Sequence, residues 1–167
     1  MPEQAPPAGT TFVRRRSARI VLLDARDRVL LFRHDDPRLE AGAVWITPGG
    51  GVQKRETYLQ AARRELWEET GLTVPLGPCV WLRRHTFRID GAWYEWWERY
   101  FVARVQAPRL SRAHWEPAEA AVIRAARWWT LADLRASTAL VAPSRIAALL
   151  PDLIAGRYPA RPLILGR

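Results

Sequence analysis

The chain has 167 residues, of which 49% are hydrophobic and 26% charged, a balance that is typical of a folded domain and excludes wholesale disorder. Its single cysteine, Cys79, excludes an internal disulfide framework and a zinc site built from several thiolates. The sequence has no apolar run long enough to span a membrane and no apolar signal core near its start, so we expect a cytosolic protein without a membrane partner. The net charge of +9 favours anionic partners such as nucleotides, nucleic acids or acidic lipids.

The first elements are a proline-rich lead and an apolar hairpin pattern. Residues 1–11 predict a flexible lead, and residues 12–167 predict one folded domain. Apolar runs at Ala18–Leu23, interrupted by Arg19, and at Val29–Phe32 flank a polar loop, which is typical of a β-hairpin.

A short strand and the strongest helix pattern come next. The strand, Ala43–Thr47, leads to the run Gly49–Gly51, where glycine permits backbone conformations closed to other residues. Thr57 and Gln60 fit a capping box, and Gly71 fits the residue that ends a helix. Apolar residues at helical spacing between these ends predict an amphipathic helix.

The second half of the chain predicts a long hairpin followed by smaller elements. Cys79–Arg88 and Trp93–Val105 are typical of strands, and Asp90-Gly91 between them favours a tight turn. Beyond them we predict a loop with Pro108 and Pro117, then a short strand at Arg127–Thr130. Two helices follow, Leu131–Ala136 and Ser144–Ile154, and Ser144 caps the second of them. This alternation of strands and helices indicates a mixed α/β domain.

Three carboxylates are clustered on the strongest helix. Glu65, Glu68 and Glu69 are spaced i, i+3, i+4 and therefore project from one helical face. Clustered carboxylate oxygens are the ligands that Mg²⁺ and Mn²⁺ prefer. Arg64 lies four residues before Glu68 and is placed to pair with it, while a bare carbonyl in Gly49–Gly51 could add a further ligand.

This segment resembles the signature of the Nudix (MutT-related) hydrolases. That pattern is a glycine, five residues, a glutamate and seven residues, then Arg-Glu-apolar-any-Glu-Glu-any-Gly-apolar. The sequence meets every fixed position, with Gly50, Glu56, Arg64, Glu65, Leu66, Glu68, Glu69, Gly71 and Leu72. The resemblance extends over residues 14–155, including Trp45 ahead of the glycines and the late pair Arg127-Trp128. It implies a mixed-sheet α/β/α sandwich.

The resemblance also implies an activity, which is metal-dependent hydrolysis of a nucleoside diphosphate linked to another group. Substrates of this class include nucleoside triphosphates, dinucleoside polyphosphates, ADP-ribose and nucleotide sugars. Glu68 and Glu69 would be ligands of Mg²⁺ or Mn²⁺, and Glu65 a ligand or the base that deprotonates the attacking water. The Gly49 carbonyl would complete the ligand set, and Arg64, with Glu56, would brace the carboxylates.

Members of this family often add one more carboxylate from a late loop. The sequence offers Glu119 and Glu116, and we favour Glu119 as a metal ligand because Glu116 precedes a proline and is biased towards an extended conformation. Glu98, in the second long strand, is a weaker candidate because an acid on a strand is usually solvated.

Aromatic and basic residues of the long hairpin are candidates for substrate contact. Period-two alternation places the aromatics of the second strand in two rows, one with Trp93, Trp97 and Phe101 and the other with Tyr94, Trp96 and Tyr100. One row could stack on a nucleobase, although packing is the commoner role of such rings. Trp45 is the aromatic that we place nearest the ligand.

Basic side chains on the first strand of this hairpin could reach phosphates. The candidates are Arg83, Arg84 and Arg88, and His85 among them could carry a proton, although a lone strand histidine is more often packed or solvated. Arg14–Arg16 could bind nucleic acid, but a charge run near a terminus is usually solvated.

Two other functions remain open. One is a Nudix-fold module that binds a nucleotide without hydrolysing it, against which the intact Glu65, Glu68 and Glu69 argue. The other is a pyrophosphohydrolase of RNA 5′ ends, which only the net charge favours. We therefore expect a small nucleotide-type substrate as the partner and regard nucleic acid as the less favoured one. The aromatic-rich strand is also compatible with a homodimer.

Overall fold

A computed structural model describes residues 6–38, 42–106, 108–115 and 117–166, without the side chains of Ala118 and Glu119. Within these residues the elements follow one another as β1 (Phe12–Asp24), β2 (Val29–His34), β3 (Val44–Ile46), β4 (Gly49–Gly51), α1 (Tyr58–Thr70), β5 (Leu76–Ile89), β6 (Ala92–Val105), α2 (Pro117–Val122), β7 (Ile123–Trp129), α3 (Leu131–Ala136), β8 (Val141–Ala142), α4 (Ile146–Ile154) and β9 (Leu163–Leu165). Residues 1–5 of the predicted lead lie outside the described residues.

Strand β1 is the centre of a mixed sheet. It runs parallel to β6 over its whole length, from Phe12 opposite Trp93 to the end of both strands. Its other edge pairs antiparallel with β2 at the hairpin and with β4, which places Gly49–Gly51 beside residues 17–19. In the described residues the sheet order is β8-β3-β2-β1-β6-β5-β9, with β4 joined to β1 and β7 to β2.

Two apolar layers cover the two faces of this sheet. On one face α1 contributes Ala61, Ala62 and Leu66, which pack on Ala18, Ile20 and Leu22 of β1. On the opposite face Leu134 of α3 and Ile146, Leu150 and Leu153 of α4 pack on Val21 and Leu23. Alternation along β1 thus supplies both cores, and the expected α/β/α sandwich is confirmed.

Local signals in the sequence predicted the principal elements correctly. The first hairpin forms with Leu23 opposite Val29. Helix α1 begins with the predicted capping box at Thr57 and ends at Gly71, whose φ of 71° is the left-handed conformation. Asp90 and Gly91 both have positive φ, as a tight turn between β5 and β6 requires.

The segment after β6 differs from its prediction. The loop expected around Pro117 contains helix α2, which starts at that proline because the first turn of a helix needs no N–H from its first residue. Strand β7 accordingly starts at Ile123, ahead of the predicted Arg127. Ser144 does not cap α4: the helix starts after Arg145, which makes no side-chain capping bond.

Strands β8 and β9 are two and three residues long and were not predicted. Each is defined by parallel pairing with a distant strand, β3 and β5 respectively, and such pairing has no local signal. No helix in the described ranges has the length and apolar character needed to cross a bilayer.

Candidate active site

Helix α1 presents two buried carboxylates to the glycine strand β4. Glu65 and Glu69 lie one helical turn apart and are 5% and 3% exposed. The Gly49 N–H donates a 2.6 Å hydrogen bond to Glu69 Oε2. A β-carbon at Gly50 would lie 2.6 Å from Glu65 Oε1, so only glycine leaves room for this carboxylate. The capped helix and the bare backbone of β4 together hold both acids at one edge of the sheet.

Arg64 contacts three carboxylates, two in α1 and one in the loop that precedes it. Its Nη1 donates to Glu65 Oε1 and to Glu68 Oε2, each at 2.8 Å. Its Nε and Nη2 donate to the two oxygens of Glu56 at 2.9 and 3.0 Å, and Nη2 also reaches the Gly51 carbonyl at 2.9 Å. The predicted pairing of Arg64 with Glu68 is confirmed, and the same guanidinium forms ion pairs with three carboxylates.

Burial and hydrogen bonding perturb these groups in different directions. The hydrogen bonds from Arg64 lower the pKa of Glu56, and the same bonds raise the pKa of Arg64. Burial raises the pKa of Glu65 to about 7 and outweighs the attraction of the adjacent guanidinium. The surroundings of Glu65 therefore oppose its charge, even with Arg64 in contact.

The donor set fits a hard divalent cation. Carboxylate oxygens of Glu65, Glu68 and Glu69, with the carbonyl of Gly49, are the oxygen ligands that Mg²⁺ and Mn²⁺ prefer. The glycine at position 50 leaves open the space at the Glu65 carboxylate that a side chain would fill. In the part of the chain that the structure describes, no three acidic, histidine or cysteine side chains converge closely enough to hold an ion, and Arg64 Nη1 lies between Glu65 and Glu68.

A buried arginine that the sequence analysis did not assign to the site reaches the same edge. Arg19 is 7% exposed, and its Nη1 donates a 2.6 Å hydrogen bond to the Gly49 carbonyl. Its Nε donates to Glu98 Oε1 at 3.0 Å. The other oxygen of Glu98 accepts from the Tyr100 hydroxyl at 2.6 Å and from Arg83 at 3.2 Å. The available signal was the interruption of the apolar run of β1 by a charged residue that faces inward.

Glu98 is a paired, buried acid and not the solvated strand acid that we expected. It is 4% exposed, and both of its oxygens are engaged. Burial alone would raise its pKa, but the charges of Arg19, His85 and Arg83 hold the pKa at about 2. Its role in this structure is to fix the position of Arg19.

His85 lies beside this network without joining it by a hydrogen bond. Its Nδ1 is 3.7 Å from Glu98 Oε2 and has no hydrogen-bond partner among the described residues. Burial lowers the pKa of His85 to about 4, so the ring is neutral at pH 7 and the contact is not an ion pair. The ring stacks on Phe87 with a centroid separation of 5.5 Å.

Several buried polar atoms around Arg19 are likewise without hydrogen-bond partners in the described residues. They are Ser17 Oγ, His34 Nε2, Thr47 Oγ1, His85 Nδ1 and Trp96 Nε1. Ser17 and Thr47 are 0% and 1% exposed. The guanidinium of Arg19 lies 5.9 Å from the ring centroid of Trp96. This group, which we call the Arg19 face, places unsatisfied donors and acceptors around a guanidinium that reaches the Gly49 carbonyl.

The candidate late carboxylates fall where the structure gives no side chain. Glu116 lies outside the described residues, and Glu119 lies in helix α2 with its side chain undescribed. The residue ahead of both, Trp115, donates from its indole Nε1 to the carbonyl of Glu69 at 2.8 Å. Trp115 also packs edge-on against Phe32. The approach to α2 is thereby held against the carboxylate helix.

The remaining sequence candidates are distributed over other surfaces. Trp45 packs against Trp129 with ring centroids 5.1 Å apart, on the α3 and α4 side of the sheet. Arg84 pairs with Glu95, and Arg88 donates to the carbonyl of Gly91 at 3.3 Å. Two cavities of about 330 and 300 Å³ meet around Pro75, and no carboxylate of α1 lines either of them.

Comparison with known proteins identifies a family and a fold. A family model described as the NUDIX domain matches residues 13–151. The solved MutT protein from Methanosarcina mazei Go1 superposes with a TM-score of 0.62 at 22% identity, covering 87% of this chain and 96% of that chain. At this identity the superposition shows a shared fold and nothing further.

Two sequence relatives share shorter segments. The chain is 40% identical over 63 residues to the human protein named m7GpppN-mRNA hydrolase NUDT17, covering 37% of this chain and 19% of that protein. It is 38% identical over 61 residues to the RNA pyrophosphohydrolase of Roseobacter denitrificans, covering 36% of each. The chain thus spans about a fifth and about a third of the lengths of these two relatives.

Proposed function

The chain belongs to the NUDIX family, and we propose that it is a divalent-metal-dependent pyrophosphohydrolase. Its substrate is a nucleoside diphosphate linked to another group: a nucleoside triphosphate, a dinucleoside polyphosphate, ADP-ribose or a nucleotide sugar. The observation that carries the proposal is the placement of Glu65 and Glu69 against the bare backbone of Gly49 and Gly50. An acidic helix with only a solubilising role would expose these side chains to water.

The proposed metal ligands are Glu65, Glu68, Glu69 and the carbonyl of Gly49. A bound Mg²⁺ or Mn²⁺ supplies neutralisation of phosphate charge and a water of lowered pKa. Arg64 is a positioning residue, because it fixes Glu65 and Glu68 while it contacts Glu56 and the Gly51 carbonyl. Glu65 either binds the ion or accepts the proton of the attacking water.

The Arg19 face is proposed to receive the nucleoside end of the substrate. Its unpartnered hydroxyl, imidazole and indole groups need hydrogen-bond partners that a base and a ribose carry. His34 and His85 each have a pKa lowered by burial to about 4, so both rings meet the substrate as neutral groups that can donate and accept. Phe87 and Trp96 border His85 and offer ring surfaces for stacking.

We propose Glu119 as the late carboxylate because it lies in α2, which starts two residues after Trp115, and Trp115 is fixed to the carbonyl of Glu69. Glu116 is the alternative. Glu119→Gln is expected to raise the Mn²⁺ concentration needed for half-maximal turnover, with a smaller loss of rate than Glu69→Gln. If Glu116→Gln shows this shift and Glu119→Gln does not, the assignment within this segment is wrong.

The experiment that tests the activity is product analysis by chromatography, with Mg²⁺ or Mn²⁺, on a substrate panel. The panel holds nucleoside triphosphates, an oxidised guanine nucleotide, ADP-ribose, nucleotide sugars and diadenosine polyphosphates. We expect metal-dependent cleavage of one class, suppressed by EDTA and lost in Glu69→Gln. Asp152→Asn is the matched control, because this carboxylate is 69% exposed and pairs with Arg157 on the surface of α4. Nucleotide binding without cleavage of any compound would favour the non-hydrolysing module.

A further inference from the structure

A second surface of the protein carries cations and aromatic rings that the proposed catalytic site does not use. On the α1 face of the sheet, beyond the end of the apolar core, the register places Arg14 beside Glu95 and Arg16 beside Trp97. Arg84 of β5 lies opposite Trp97. With Arg99 and Tyr58 these residues form one continuous area, which we call the arginine platform. It contains Arg14, Arg16, Tyr58, Arg84, Glu95, Trp97 and Arg99.

Rings and guanidinium groups alternate across the arginine platform. The guanidinium of Arg84 lies 5.2 Å from the ring centroid of Trp97. The guanidinium groups of Arg99 and Arg16 lie 4.4 and 5.8 Å from the ring centroid of Tyr58. Trp97 is 47% exposed, so nearly half of the surface of this large ring is open to a ligand.

One buried carboxylate organises the platform without cancelling its charge. Glu95 is 1% exposed and accepts from the Trp97 indole at 3.0 Å, while Arg14 contacts it at 3.2 Å and Arg84 pairs with it. The hydrogen bond from Trp97 and the two guanidinium groups keep the pKa of Glu95 low. Four arginines therefore face solvent around a single neutralised acid, and the Trp97 ring is held in a fixed orientation.

The platform is continuous with the candidate active site. The carbonyl of Arg16 accepts a 2.8 Å hydrogen bond from the Val52 N–H, directly after β4. Two residues further along β1, Ala18 pairs with Gly50, about 7 Å away at the spacing of a strand. The exposed cations Lys54 and Arg55 lie in the loop after Val52. A ligand lying on the platform can thus extend to the carboxylate edge without leaving a cationic surface.

We propose that the arginine platform binds single-stranded nucleic acid, with a base stacked on Trp97 and phosphates paired with the arginines. Flexible single strands expose both a polyanionic backbone and the ring faces that such a surface recognises. An anionic membrane would pair with the arginines. Its lipids offer no flat ring that could stack on an aromatic side chain held in a fixed orientation. This inference deepens the proposed function and rests on it in one respect: water would cleave a phosphoanhydride bond of the 5′-triphosphate of the bound strand and release phosphate or pyrophosphate.

The test is fluorescence anisotropy with 12-nucleotide RNA and DNA oligomers carrying a 5′-triphosphate. Trp97→Ala is expected to weaken binding about 5- to 150-fold, the range found for loss of one stacked base. Arg99→Gln is expected to weaken binding and to reduce the slope of log K against log salt by about 0.7. The matched controls are Tyr158→Ala and Arg157→Gln, an exposed ring and an exposed cation elsewhere, which should bind as the unaltered protein does. Equal affinity for the RNA and DNA oligomers would support the inference, because base stacking and phosphate pairing do not involve the 2′-hydroxyl.

Hydrolysis separates this inference from the proposed function. Trp97→Ala should raise the KM for the triphosphorylated oligomer and leave hydrolysis of a nucleoside triphosphate unchanged, whereas Glu69→Gln should bind the oligomer normally and hydrolyse neither. If no substrate is cleaved but the binding pattern holds, the proposed activity fails and the platform stands. Platform and control variants with equal affinity would overturn the inference. So would binding to phosphatidylserine vesicles, lost in Trp97→Ala, without binding to either oligomer.

Discussion

Arg19 Nη1 and the carbonyl of Gly49 are joined by a 2.6 Å hydrogen bond. This bond connects a buried ion pair in the centre of the sheet to a carbonyl that is proposed to bind a metal ion. Since a carbonyl oxygen has two lone pairs, the arginine can orient it and still leave one direction for a cation. The carboxylate site is therefore supported from the core as well as from α1.

Substitution of Arg19 should lower the stability of the protein. Arg19→Met leaves Glu98 buried beside fewer cations, and we expect the free energy of unfolding to fall by about 3 kcal/mol. The double variant Arg19→Met/Glu98→Gln should recover part of the loss, because it removes the uncompensated charge. Urea denaturation of Arg19→Met, Glu98→Gln and the double variant gives the coupling energy between the two side chains. Strictly additive effects would contradict the pairing.

Gly50→Ala offers a direct test of the cradle around Glu65. The new β-carbon would lie 2.6 Å from the carboxylate, so this side chain must move. We expect Mn²⁺ affinity to fall at least about tenfold, as for other losses of ligand positioning. Gly51→Ala is the control, since a β-carbon there meets nothing within 4 Å. Isothermal titration with Mn²⁺ compares the two, and equal affinities would argue against a ligand role of Glu65.

Arg64→Lys tests whether the planar guanidinium is needed as well as its charge. A single ammonium group cannot donate at once to Glu56, Glu65 and Glu68, so the carboxylates lose their fixed geometry. We expect kcat to fall about 10- to 100-fold. Arg63→Lys, on the exposed side of the same helix, should leave kcat unchanged. Steady-state kinetics on the best substrate of the panel measures both, and a fully active Arg64→Lys would remove Arg64 from the positioning role.

The lowered pKa of His85 predicts a specific contribution to the pH dependence of stability. The pKa of His85 is about 4 in the folded protein, below its usual value of 6.5. As pH falls from 6.5 to 4 the unfolded chain takes up a proton at this residue that the folded chain does not, so the contribution of His85 to stability is lost over this window and is complete above it. The loss is about 3 kcal/mol at pH 4.

The check on this prediction is chemical denaturation of His85→Gln between pH 4 and pH 7.5. The variant should show a shallower decline in unfolding free energy than the unaltered protein. His114→Gln serves as the control, because that ring stacks on the exposed Trp67 outside the buried network. An equal pH dependence in His85→Gln and the unaltered protein would show that the ring titrates normally.

Local sequence patterns were sufficient for the helix that carries the carboxylates and for the two hairpins. Helical spacing requires Glu65, Glu68 and Glu69 to share a face, and Thr57 and Gly71 bound the helix through interactions within a few residues. The turn at Asp90-Gly91 is set by residues that tolerate positive φ. Each of these features depends on neighbours in the chain, so each can be predicted without the fold.

Tertiary structure alone decided how the site is supported and what surrounds it. Arg19 and Glu98 are 79 positions apart, and only the parallel pairing of β1 with β6 brings them together. The same pairing sets Arg16 beside Trp97 and so creates the arginine platform. Strand pairing is specified by contacts between distant segments, and a local pattern carries no register for them. The chemistry of α1 was therefore predictable from spacing, whereas its buried support and the adjoining cationic surface were not.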